Sequence, residues 1–107
     1  MISEVDRILE KYPLEAQTPF SITDVDAFNL RLEKIRTQGH VIESEEAVEG
    51  LLGIAAPIRD YSRKVVAALG IALPVGQRNM MNGLDRTIEL VKNTCDLISS
   101  DLGYLKI

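Results

Sequence analysis

Tryptophan is absent from this 107-residue chain, which carries only two phenylalanines and three tyrosines. Cysteine and histidine occur once each, as Cys95 and His40. A lone cysteine excludes an internal disulfide and any cysteine-cluster metal site. A lone histidine leaves most nucleophile–base constellations without their base. The seven glycines fall singly, at 39, 50, 53, 70, 76, 83 and 103, so no glycine-rich loop cradles a phosphate. The longest apolar runs, 50–58 and 65–76, stop well short of the roughly 20 residues that span a bilayer. The N-terminus lacks the basic-then-apolar order of a secretory signal. A field of positive sign is missing too. Twelve basic side chains against sixteen acidic ones give a formal net charge of -4 and a pI of about 4.9. Nothing global draws such a chain to nucleic acid or anionic lipid. These absences lead us to expect no metal, no cofactor, no membrane contact and a cytoplasmic setting.

What is present suits one folded domain: 46% of residues are hydrophobic and 26% charged. Few of the polar residues suggest chemistry. His40 follows Gly39 at a helix end and reads as a half-exposed strand-entry residue. Cys95 falls on the apolar stripe of a helix, where a free cysteine behaves as a small buried hydrophobe. Glu45 and Glu46, with Glu43 and Glu49 nearby, read as a solvated loop face rather than an acid/base couple. No catalytic residue emerges, and an enzyme is not expected.

Hydrophobic periodicity divides the chain into helix, helix, three strands and a last helix, an α+β order. Ser3 caps a short helix over 4–12 that Pro13 stops. Residues 13–23 form a connector ending in Thr23, which is placed to cap a second helix whose apolar face is Val25, Phe28, Leu32 and Ile35. Gly39 stands where a left-handed C-terminal cap belongs. Arg31, Lys34 and Arg36 complement the helix dipole in its second half rather than form a nucleic-acid stripe. A short strand is expected at 40–44 and a polar loop at 45–49. Two apolar runs at 50–59 and 64–73, broken by 60–63, read as a hairpin. From about residue 78 to 100, Leu84, Ile88, Val91, Cys95 and Ile98 mark a long helix.

The hairpin carries the most information. If Asp60 pairs with Arg63, then Gly53 faces Gly70, Ala55 faces Ala68, Leu51 faces Ala72 and Pro57 faces Val66, all on one side of the sheet. The other side holds Leu52, Ile54, Ile58, Val65, Leu69 and Ile71. One face is therefore bulky and the other nearly bare. Facing glycines mean that something approaches the backbone closely, and both a packed helix and a small ligand meet that requirement.

Several segments taken in order resemble the IclR-type transcriptional regulators: 32–39 (LEKIRTQG), the glutamates before Gly50, 50–58 (GLLGIAAPI) with Arg59 and Asp60, 65–73 with Pro74, and 97–104 (LISSDLGY). The early ILEKYPL and the connector at 18–24 are similar as well. The resemblance covers essentially the whole chain and points to the second half of that family's C-terminal effector-binding domain. It implies a GAF-like antiparallel sheet with helices packed on it and a pocket for a small organic effector. It also implies a homo-dimer or tetramer that reaches operator DNA only through a winged helix-turn-helix missing from this sequence. The first strands of the effector domain are expected to be missing too, making the chain a single partial domain over 1–107.

Members that sense glyoxylate or pyruvate present an acidic residue, a cysteine and two serines to the ligand. Aligned on this chain, those positions fall on Glu43, Gly53, Gly70 and Ala72, and a ligand-touching leucine falls on Leu51. With Ala55 and Ala68 these form the expected ligand-binding set. Three polar anchors have become glycine, glycine and alanine, which removes hydrogen-bond donors and opens volume. Such a pocket suits a bulky apolar or aromatic effector over a small oxoacid, whose desolvated polar atoms would go unpaired. The rival reading is a vestigial pocket in a domain that serves oligomerisation. Arg63 stands where relatives often have a turn glycine, which leaves the turn type open.

Overall fold

The structure is a computed structural model that describes residues 3–76 and 82–106. Its elements run α1 (Glu4–Lys11), α2 (Val25–Gln38), β1 (Val41–Ser44), β2 (Leu51–Arg59), β3 (Val65–Pro74) and α3 (Asn82–Asp101), in the expected α+β order. The expected start of α3 near residue 78 lies outside the described residues.

Local signals set most of the boundaries. The Ser3 hydroxyl accepts the Asp6 N–H at 3.1 Å and caps α1. The cap of α2 is Asp24 rather than Thr23, its carboxylate accepting the Ala27 N–H at 3.0 Å. A carboxylate there satisfies an orphan donor and places negative charge at the positive end of the helix, which a threonine hydroxyl cannot do. Gly39 closes α2 at φ 78° and donates to the Ile35 carbonyl at 2.7 Å, as the sequence predicts.

The sheet is antiparallel in the order β1-β2-β3, with β2 in the middle. Strand β2 alternates strictly, its even residues buried and its odd residues half-buried. The even set, Leu52, Ile54, Ala56 and Ile58, turns toward α3. Ile54, Ala56 and Ile58 meet Val91 and Cys95 in one core, with Leu69, Ile71, Leu73, Leu84, Ile88 and Ile98 around its margin. Helix and strand are also joined through polar atoms. The Cys95 thiol donates to the Ala56 carbonyl at 3.4 Å, and one turn on, the buried Ser99 hydroxyl accepts the Arg59 N–H at 2.9 Å. With α3 over one face of the sheet, the described residues form a slab of 45 × 39 × 17 Å.

The hairpin register differs from expectation by two residues. Gly53 pairs with Ala72, Ala55 with Gly70, Pro57 with Ala68 and Leu51 with Pro74. The cause is a longer turn. Residues 60–64 separate the paired Arg59 and Val65, with the Asp60 carboxylate accepting the Ser62 N–H at 2.8 Å and Arg63 taking the left-handed conformation at φ 70°. That conformation is one that glycine adopts more readily than arginine. A slip of two residues leaves every side chain on its expected face, so the bare strip survives although Gly53 and Gly70 no longer oppose each other. Val65 is the exception. An irregularity at Ile58/Arg59 shifts it out of the core set, and it is 52% exposed.

Burial pushes the Cys95 thiol above its ordinary value. The unfolded chain therefore releases that proton first, so this contribution to stability is complete below the ordinary thiol pKa of about 8.5 and fades as pH rises beyond it. Urea unfolding at several pH values should show Cys95→Ala to be less stable by about 1–3 kcal/mol near neutrality. The difference from the parent should shrink in alkali, whereas a constant difference across pH would contradict the assignment.

Candidate functional site

The face of the sheet turned away from α3 carries the odd residues of β1 and β2 and the even residues of β3. Strand pairing brings the whole expected set onto it. Glu43 lies opposite Gly53, Gly53 opposite Ala72 and Ala55 opposite Gly70, with Leu51 at one end and Ala68, paired with Pro57, toward the other. Leu51, Gly53 and Ala55 are half-buried in the middle strand, while Ala68, Gly70 and Ala72 are exposed on β3.

Gly53 is where the bareness has a local use. Glu43 Oε1 lies 2.8 Å from the point that a Cβ on residue 53 would occupy. The carboxylate thus folds over the glycine backbone, and its other oxygen accepts the Glu46 N–H at 2.9 Å. Any side chain at 53 has to displace it.

Beside this strip opens a cleft of about 390 Å³. One wall is α2, through Phe28, Leu32 and Ile35, and Val41 and Glu43 of β1 form its floor. Leu14, Ile22 and Ala47 add apolar surface from the flanking segments. Of the expected site residues only Glu43 lines the cleft; it joins cleft and strip, while the other six stay on the sheet beside it. The charged lining is Glu15, Glu43, Glu46 and Arg31, and Arg31 Nη1 is paired with Glu46 Oε2 at 3.1 Å.

The rim is held by the connector between α1 and α2. Thr18, 8% exposed, donates through Oγ1 to the Glu45 carbonyl and accepts the Phe20 N–H at 3.0 Å. Ser21 donates to the Glu46 carbonyl and accepts the N–H groups of Gln17 and Thr18. Glu45, at φ 60°, closes the same loop by accepting the Gly50 N–H at 3.0 Å. The acidic run read as a solvated face therefore contributes two side chains to a cleft and one to a turn.

Sequence reasoning marked Phe28, Leu32 and Ile35 as an apolar face but did not assign what they face. It missed Arg31 as a lining residue and the Thr18–Ser21 clamp altogether, because a hydroxyl reaching a carbonyl about 27 positions away leaves no local pattern. His40 is half-buried beside the Gln38 carbonyl, at the strand entry where it was expected. Among the described residues no group of three acidic, histidine or cysteine side chains could hold a metal, and no helix is long and apolar enough to cross a membrane.

The fold and this one-sided sheet define an α+β architecture that known proteins share. A family model described as bacterial transcriptional regulator IclR C-terminal matches residues 2–100. The chain belongs to that family. It is 33% identical to the transcriptional regulator KdgR of Escherichia coli K12 over 101 residues, which are 94% of this chain and 38% of that protein. The crystal structure of the KdgR C-terminal domain superposes with a TM-score of 0.81 at 31% identity, over 94% of this chain and 61% of that one. The inducer-binding domain of PobR from Acinetobacter, solved as a double mutant in complex with 3-hydroxybenzoic acid, gives 0.79 at 27% identity, over 99% of this chain and 59% of that one. The chain thus spans about a third of the length of the curated relatives it matches. Those relatives carry the names of transcriptional regulators, not of enzymes.

Thr18→Val keeps the shape and deletes the Thr18 half of the clamp, leaving the Phe20 N–H and the Glu45 carbonyl without this partner. It should cost about 1–3 kcal/mol in urea unfolding. A loss below about 0.5 kcal/mol, the range of an ordinary surface change, would contradict the clamp.

Proposed function

We propose that this chain is the effector-sensing part of an IclR-type regulator, and that its ligand is a small organic molecule with a bulky apolar or aromatic body. The observation that carries this reading is the junction at Glu43. There an apolar cleft of about 390 Å³ meets a strip of sheet without side chains at Gly53. Ligand sites are concave and mostly apolar, with a few polar groups that fix orientation. In this reading Phe28, Leu32 and Ile35 take the ligand's ring or chain, and Glu43 and Arg31 orient its polar end. Val41 and Glu43 supply the floor, and Leu51, Gly53, Ala55, Ala68, Gly70 and Ala72 extend the site across the sheet beside it. The complex of the PobR domain with 3-hydroxybenzoic acid supports an aromatic ligand in this family.

The intact regulator, in this reading, is a cytoplasmic homo-oligomer that meets operator DNA through a winged helix-turn-helix outside this chain. Its effector shifts the balance between DNA-competent and incompetent arrangements by binding one of them better.

A thermal-shift series with pyruvate and glyoxylate against hydroxybenzoates and neutral phenols tests the ligand class. Saturation at about 100 times the dissociation constant stabilises the fold by about 2.7 kcal/mol, a rise of roughly 10 °C or more for a domain this small. The aromatic members should give that rise and the oxoacids none; the reverse order would contradict the reading. Gly70→Ser combined with Ala72→Ser places hydroxyls on the exposed part of the strip. That variant should fold normally and bind the aromatic ligand at least about tenfold more weakly, a loss of about 1.4 kcal/mol. An unchanged affinity would remove β3 from the site.

A further inference from the structure

A second cavity, of about 310 Å³, lies on the α3 side of the sheet, where the last turn of α2, the far end of β2, the middle of α3 and the tail at 104–106 converge. Strand β3 contributes no residue to it. Its walls are tied to one another. Lys92 Nζ donates to the Gln38 carbonyl at the end of α2 at 3.1 Å, and the Tyr104 N–H donates to the Ser99 carbonyl at 2.9 Å. The Arg63 guanidinium holds the tail from outside, donating to the Leu105 carbonyl and lying 5.0 Å from the Tyr104 ring centre.

The charge of this cavity runs against that of the chain. Four of the twelve basic side chains line it, Arg36, Arg59, Lys92 and Lys106, against one lining carboxylate, Asp96. Two structural roles account for part of the excess. The carbonyl end of α2 carries about half a negative charge, which Lys92 meets directly. Asp96 Oδ2 pairs with Lys106 Nζ at 3.3 Å, but these side chains are 54% and 75% exposed, so solvent weakens the pair. Four positive charges less one carboxylate and the helix end leave about 2.5 unbalanced. Arg36, Arg59 and Lys92 pair with no carboxylate among the described residues. Arg59 is half-buried and spends one of its five guanidinium donors on the Arg63 carbonyl, at 2.8 Å.

The cavity wall adds a neutral donor. Ser99 is 3% exposed, and its Oγ accepts the Arg59 N–H at 2.9 Å, yet none of the described residues accepts its hydroxyl proton. A buried donor of this kind calls for an acceptor.

We infer that this cavity binds a small organic anion carrying two or more negative charges, a phosphate monoester or a polycarboxylate. Arg36, Arg59 and Lys92 hold its charge, and Ser99 donates to one of its oxygens. Guanidinium forks match the oxygen geometry of both groups. The volume is that of a small-molecule site, whereas a DNA duplex lies across a surface rather than inside such a cavity. A single carboxylate offsets less than half of the unbalanced charge, so monocarboxylates are held poorly here. The effector cleft has the opposite character, with three lining carboxylates and one arginine, and the two sites therefore select different ligands. Occupancy would fasten α2, which contains no fully buried residue, to the frame of β2 and α3. The inference stands whether or not the effector reading holds.

Amide shifts of the isotope-labelled chain, followed on adding inorganic phosphate and, separately, citrate, test it at constant pH and at an ionic strength balanced with sodium chloride. At least one of the two should saturate, with half-saturation on the order of 1 mM or below. The shifts should centre on Gly39, Arg59, Lys92 and Ser99 and leave Gly53 unmoved. Which anion saturates tells a phosphate ligand from a carboxylate one. Arg59→Gln and Lys92→Gln should each weaken binding at least about tenfold, whereas Arg7→Gln, on exposed α1, should not. Circular dichroism checks that each variant is folded. Shifts that never saturate, or that spread over Arg7, Lys11 and Lys34 as well, would overturn the inference. So would saturation that both substitutions leave intact, or a response at these amides to a short DNA duplex and to neither small anion.

Discussion

One contact organises this molecule: the apolar stripe of α3 against the even-numbered face of β2. Ile54, Ala56, Ile58, Val91 and Cys95 form its centre, and the Cys95–Ala56 and Ser99–Arg59 hydrogen bonds fix helix against strand at two successive turns. Among the described residues no other pair of elements buries a comparable set. Helices α1 and α2 contain no fully buried residue, and β1 is four residues long. Burying branched side chains is the main driving force available to a chain of this size, so β2 and α3 set the frame to which the rest attaches through margins and hydrogen bonds.

That frame is one-sided, and the candidate site follows from its one-sidedness. Because α3 covers one face, the residues on the other are released from core packing and can be small. Glycine and alanine at 53, 55, 68, 70 and 72 would weaken a strand whose stability depended on that face; here the opposite face supplies it. The small strip then leaves room for the Glu43 carboxylate to lie over the backbone and for α2 to stand off as the wall of a cleft.

Much of this was legible in the residues. The period of two in 51–58 separated the bulky from the bare face, and Cys95 on the α3 stripe marked a buried thiol. Both signals are local and repeat several times, which makes them robust. The register was not legible, because a polar turn such as 60–64 allows more than one closure, and the choice depends on Arg63 adopting a left-handed conformation that its side chain does not favour. Faces survived the error because it was an even number of residues. The cleft was only half legible. Phe28, Leu32 and Ile35 announced an apolar helix face, but their target, the connector clamp at Thr18 and Ser21, and the pairing of Arg31 with Glu46 depend on how α2 lies against β1, which no local pattern encodes.

The account rests on a ligand held where Glu43 joins the α2 cleft to the glycine-floored strip. A titration of the isotope-labelled chain with 3-hydroxybenzoate, followed by amide chemical shifts, measures that placement most directly. The account predicts saturable shifts centred on Ile35, Val41, Glu43, Gly53 and Ala55, with the amides of α3 far less affected. Shifts clustered instead around Arg59, Lys92 and Lys106 on the α3 side of the sheet would contradict it, as would a spectrum that the ligand leaves unmoved.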